Sequence, residues 1–169
     1  KLGLDGEVIF DKWLVDSVRT YQTWRPSFQT YGTGFINSGS STGGEDINMV
    51  IEYTSDGDVA QMTTFQYFFE EFIFSAPRAM AVLQSRKEIL VASEQENPEG
   101  INNGDIVLTL LDSNHTMIWE RSYGNLLFEQ IRQVVEKSDN EVIIVGRRSN
   151  INTNDFDYRS YDYLLAIDS

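Results

Sequence analysis

Short apolar runs alternate along the chain with clusters of Gly, Asn, Asp and Ser, and no window sustains the i, i+3, i+4, i+7 spacing of a long helix. In the C-terminal third, the runs Met117 to Tyr123, Gln130 to Lys137, Glu141 to Arg147 and Tyr161 to Asp168 are rich in Val, Ile, Leu and aromatics and predict four strands. The middle third predicts four more, at Asp58 to Gln66, Arg78 to Gln84, Glu88 to Glu94 and Asp105 to Leu111. The first third is less regular, with candidate strands at Glu7 to Val15, Tyr21 to Tyr31, Gly34 to Ser38 and Asn48 to Tyr53. Only Phe68 to Phe74 is ambiguous between strand and helix.

These runs repeat. The run Glu141 to Gly146 after the turn Ser138-Asp139-Asn140 matches Glu88 to Ser93 after Ser85-Arg86-Lys87, and an earlier copy is Gly34 to Gly39. Gly39, Ser93 and Gly146 are spaced 54 and 53 residues apart. A second anchor is an acidic turn after an apolar run: Asp5-Gly6, Asp56-Gly57, Asp112-Ser113-Asn114 and Asp168-Ser169. Together the anchors predict three units, at approximately 6–56, 57–113 and 114–169. Four antiparallel strands at this period predict the blades of a β-propeller, which bury both faces and so need continuous apolar runs such as Val142-Ile143-Ile144-Val145. A β-sandwich of about a dozen strands is the alternative architecture. Three blades are fewer than the 4 to 8 that close a ring. On this phase Lys1 to Asp5 reads as the tail of a fourth strand and Tyr161 to Ser169 as a complete one, so the chain is expected to be part of a larger propeller.

Composition narrows the function classes. The 169 residues are 41% hydrophobic and 12% aromatic, enough to bury a core. Thirteen Lys and Arg against 26 Asp and Glu give a formal charge of −13, the wrong sign for displacing counterions from nucleic acid or for an anionic membrane surface. No run reaches the 18 apolar residues of a membrane-spanning helix, and the absence of cysteine removes disulfides, thiolate metal sites and cysteine nucleophiles. The chain begins Lys1-Leu2-Gly3, without an initiator Met, which suggests a processed N-terminus.

Candidate chemistry is sparse. His115 is the only histidine and lies in a predicted hairpin turn, where a solvated residue is expected; there is no Gly-x-Ser-x-Gly elbow. The acidic pairs Glu45-Asp46, Glu70-Glu71 and Asp155-Phe156-Asp157 read as solvated faces of an acidic chain. Asp and Asn oxygens in Gly44 to Asn48 and Asn150 to Asp157 are donors a calcium ion would use, yet neither loop has the spacing of an EF-hand, and both residue types favour turns on their own. No catalytic residue, no metal and no cofactor are therefore expected, with calcium the alternative. Trp119 is expected to pack between blades. The segment Tyr67 to Pro77, dense in aromatics, reads as a connection that either covers the rim or contacts another chain, and Phe68, Phe69, Phe72 and Trp24 are the candidate binding residues.

The run Met117-Ile118-Trp119-Glu120-Arg121-Ser122-Tyr123-Gly124, then Glu141 to Gly146, then Asp162-Tyr163-Leu164-Leu165-Ala166-Ile167-Asp168 resembles the propeller repeats of secreted bacterial surface proteins. Gly39-Ser40-Ser41-Thr42 and Ser55-Asp56-Gly57 echo the same pattern. In this chain Asn114 stands where the family's turn Gly is usual, Ser93 replaces the strand-closing Gly, and the second unit lacks the Trp. The resemblance implies a β-propeller, often exported through the type IX pathway and displayed or released outside the outer membrane; the C-terminal sorting domain such proteins generally carry is not visible here. The expected function is a non-catalytic module that binds a protein or glycan, as one subunit of an envelope assembly. The alternative is a glycan hydrolase or lyase with its site in the propeller channel.

Overall fold

The computed structural model describes residues 20–22, 29–42, 47–65, 74–96, 104–123, 128–138, 141–150 and 159–168. They are all-β, in three antiparallel sheets. The first contains β1 (Thr20–Gln22), β2 (Gln29–Tyr31), β3 (Gly34–Thr42), β4 (Ile47–Tyr53) and β5 (Val59–Phe65). Both β1 and β2 pair with β3, one at each of its ends, so they act as one interrupted strand, and the order then runs β3-β4-β5. The second sheet is the meander β6 (Phe74–Leu83), β7 (Glu88–Glu96), β8 (Gly104–Leu111), β9 (Met117–Tyr123). The third is β10 (Phe128–Ser138), β11 (Glu141–Asn150), β12 (Arg159–Asp168).

The sheets are offset by one strand from the units read in the sequence. The run at Asp58 closes the first sheet as β5, Met117 to Tyr123 closes the second as β9, and Tyr161 to Asp168 lies in the third strand of the last sheet where a fourth was expected. The reason is hairpin pairing: β4 with β5 and β8 with β9 are joined by tight turns and hydrogen-bonded along their length. A second correction concerns Tyr67 to Pro77, read as a connection; β6 already begins at Phe74, and Pro77 is buried within it.

The sheets share fine detail as well as order. In β6 the register slips between Pro77 and Ala79, opposite Ser93. In β10 it slips between Ile131 and Gln133, opposite Gly146. A β-bulge inserts one extra residue and bends the strand, and here the inserted residue is an arginine both times, Arg78 and Arg132.

Successive strand residues point to opposite faces, and in the second sheet both faces are buried. Ala79, Ala81, Leu90, Ala92, Ile106, Leu108 and Leu110 pack on one side against Ile131, Val134, Val142 and Ile144 of the third sheet, joined by Trp119 and Tyr123. Their neighbours Met80, Val82, Ile89, Val91 and Leu111 pack on the other side against Ile36 and Val50 of the first sheet. Trp119 is partly buried and packs against this cluster from β9. Burying a side chain of this size contributes about 1.5–3 kcal/mol, and the run Ile89 to Ala92 makes that contribution on both faces at once.

The edge of β6 is covered by side chains. The Gln29 amide donates to the Met80 carbonyl at 2.7 Å and accepts from the Val82 N–H at 2.7 Å, while the Gln84 N–H reaches the Glu136 carboxylate at 3.2 Å. Alternate residues of a strand turn their backbone groups to the same side, so these contacts lie along one edge. On β10 the Ile131 N–H in the bulge donates to the Glu94 carboxylate at 2.8 Å, whose other oxygen takes the Arg78 guanidinium at 2.7 Å.

Candidate functional site

Two turns have the same construction. In the β4–β5 turn the Thr54 N–H donates to the Asp58 carbonyl at 2.8 Å, the Gly57 N–H to the Thr54 carbonyl at 3.0 Å, and the Asp58 N–H to the Thr54 hydroxyl at 3.2 Å. In the β8–β9 turn the Asp112 N–H donates to the Thr116 carbonyl at 2.9 Å, the His115 N–H to the Asp112 carbonyl at 2.9 Å, and the Thr116 N–H to the Asp112 carboxylate at 2.8 Å. Each turn needs one left-handed residue, Gly57 at φ 82° and His115 at φ 60°. His115 is therefore the counterpart of Gly57, where the sequence spacing had set Asn114. Asp112 also accepts the Asn114 N–H at 2.8 Å, and this pair of backbone donors holds its carboxyl below the usual value, with the Thr116 bond the larger cause.

The second correction is larger. His115, expected to be solvated, has a fully buried side chain. Its turn docks on the face of the first sheet, where β4 supplies Glu52 and β5 supplies Gln61 and Thr63. The ring Nδ1 lies 3.2 Å from the Thr63 hydroxyl, and Nε2 lies 3.8 Å from the Glu52 carboxylate. Gln61 donates to the Asn114 carbonyl at 3.2 Å. From β2, the Tyr31 ring stands 6.4 Å from the imidazole, and its hydroxyl is 3.3 Å from the Ser113 carbonyl and 3.5 Å from that of Lys87. One turn of the second sheet is thus fastened to three strands of the first.

Burial sets the electrostatics. It holds the His115 imidazole below its ordinary value, against the opposite pull of Glu52 and Asp112. It also raises the Tyr31 phenol, and the same two carboxylates add to that shift. Nε2 has no hydrogen-bond partner, because 3.8 Å exceeds hydrogen-bond reach. A sealed imidazole meets no substrate, so the arrangement can hold or release a proton and join two sheets, and it offers no nucleophile.

Phe68, Phe69, Phe72 and Trp24 lie outside the described residues, as do Trp13, residues 43–46 and 151–158 of the two acidic loops, and Glu70-Glu71. Among the described residues no group of three or more His, Asp or Glu is placed to hold a metal, and no helix is long and apolar enough to cross a membrane. Sequence reasoning missed Glu52, Gln61, Thr63 and Tyr31. The signal was in Thr54-Ser55-Asp56-Gly57-Asp58 laid over Asp112-Ser113-Asn114-His115-Thr116, which puts the histidine on the glycine.

No protein-family model matches the chain, and no curated protein matches it.

Proposed function

We propose that this chain is a run of β-propeller blades that acts by binding, at the outside of a bacterial cell, with a protein or glycan partner and without catalysis. The observation that carries the reading is the repetition of one strand order, bulge and turn in sheets stacked face to face, with the middle sheet buried on both sides. That is how blades pack around an axis. His115 is enclosed between two sheets, which favours a structural role for it over catalysis. Three of the four large apolar residues that are exposed among the described ones stand on the last strands of the first two sheets, Val59 and Met62 on β5 and Ile118 on β9, with Val135 on β10 the fourth, and the three suit a contact along the outer rim.

The test is surface cross-linking of intact cells with a membrane-impermeant reagent, followed by mass spectrometry. The expected result is labelling of this chain and recurrent cross-links from the β5 and β9 region to one envelope component. Protection from the reagent in intact cells overturns the surface location. Glycan turnover by the purified full-length protein, lost on replacing a single carboxylate, overturns the non-catalytic reading.

A further inference from the structure

The described residues contain one buried group that can change charge near neutral pH, and it sits on a boundary between sheets. We propose that His115 is a proton-operated latch: the neutral imidazole fastens the β8–β9 turn to β4 and β5, and uptake of a proton from solvent loosens that junction. This goes beyond the binding reading and does not depend on it.

Three observations support the latch. First, the ring is sealed, with Nδ1 satisfied by the Thr63 hydroxyl and Nε2 lacking any hydrogen-bond partner. An imidazolium there carries a second N–H with nothing within reach to accept it, and it has lost its water. Second, the surrounding charges do not compensate. Glu52 of β4 is 3.8 Å away and its side chain is 26% exposed, so water screens it. Asp112, in the same turn, is held by the backbone N–H groups of Asn114 and Thr116. Tyr31 of β2 faces the ring as a neutral phenol, β5 presents only the uncharged Thr63 and Gln61, and the contact with the β6–β7 turn is through the Lys87 carbonyl. Third, His115 holds a left-handed backbone that its counterpart assigns to Gly57, so opening the turn also relieves strain.

The sign follows from linkage. In the opened form the ring is exposed and titrates near 6.5, whereas in the closed form burial holds it lower. Well above about pH 6.5 both forms are neutral and closure is unaffected; as pH falls through that value the opened form takes up the proton first and is favoured.

Native-state hydrogen exchange, corrected for the intrinsic rate, reads the opening of the His115 and Asp112 amides. Between pH 7.5 and 5.5 the opening constant is expected to rise by at most about tenfold, the limit set by the protonation of an ordinary imidazole one unit below its pKa when the closed form takes up no proton. His115→Gly keeps the turn, as Gly57 does in the first sheet, and should make the response flat. In parallel, the NMR titration of His115 should have a midpoint below 6.5, shifted further down in Glu52→Gln. An unchanged pH response in His115→Gly overturns the latch. So does a wild-type midpoint at or above 6.5, which stands even if the variant fails to fold.

Discussion

His115 occupies in the β8–β9 turn the left-handed position that Gly57 occupies in the β4–β5 turn, under the same pattern of backbone hydrogen bonds. The two residues meet one backbone demand at different steric cost. Gly57→Ala should destabilise the chain by about 1–2 kcal/mol, the cost of placing a Cβ in left-handed backbone, and lower Tm by about 2–8 °C for a chain of this size. Calorimetry at pH 7.5 checks it.

Glu94 ties the second sheet to the third through Arg78 and the Ile131 N–H, and both side chains of the ion pair are mostly buried. Glu94→Ala should cost about 2–3 kcal/mol, since hydrogen bonds to a charged group are the stronger kind. Urea unfolding reads the loss as a lower midpoint at an unchanged m-value.

Asp112 organises its turn with a carboxylate that accepts two backbone N–H groups. Its depressed pKa means the contribution is present above the unfolded value near 3.8 and is lost as pH falls further. The Asn114 and Thr116 amide shifts should move together in that acid range. In Asp112→Ala they should be flat there.

Leu90 and Val91 are neighbours on β7 that point to opposite faces, and both are buried. Leu90→Ala should cost about 2–5 kcal/mol and Val91→Ala somewhat less, whereas Ile118→Thr, at a position 50% exposed, should stay within about 0.5 kcal/mol. A sheet with one wet face would leave one of the two β7 substitutions nearly neutral, so thermal unfolding of the three variants tests the stacking.

How far the sequence could be read follows from the same burial. The strand Glu88–Glu96 stands out because positions buried on both faces leave a continuous apolar run, whereas Glu141–Asn150 alternates buried with half-buried positions and Met117–Tyr123, with none fully buried, is marked by its Ile, Trp and Tyr. Their grouping into sheets was not legible, since apolar runs do not reveal which hairpin each strand joins. Phe74 to Pro77 were hidden because proline weakens a strand signal, although at an edge strand the missing N–H costs little. The His115 site was hidden for a different reason: a polar residue in a turn reads as solvated until another sheet is known to cover it. Glu52 and Thr63 come from strands more than fifty residues earlier, and no local pattern links them to it.

The side chains along β6 and β10 have a consequence for how such sheets assemble. A bare strand edge is a template onto which any extended peptide can add, and this is how soluble β-proteins begin to form fibrils. Here Gln29 occupies two backbone groups of β6, Glu136 occupies the Gln84 N–H just past its end, and Glu94 occupies one on β10, each reaching over from a neighbouring sheet. Stacking one sheet on the next therefore takes up part of each template in the same step, so the contacts that join the sheets also discourage stray strands.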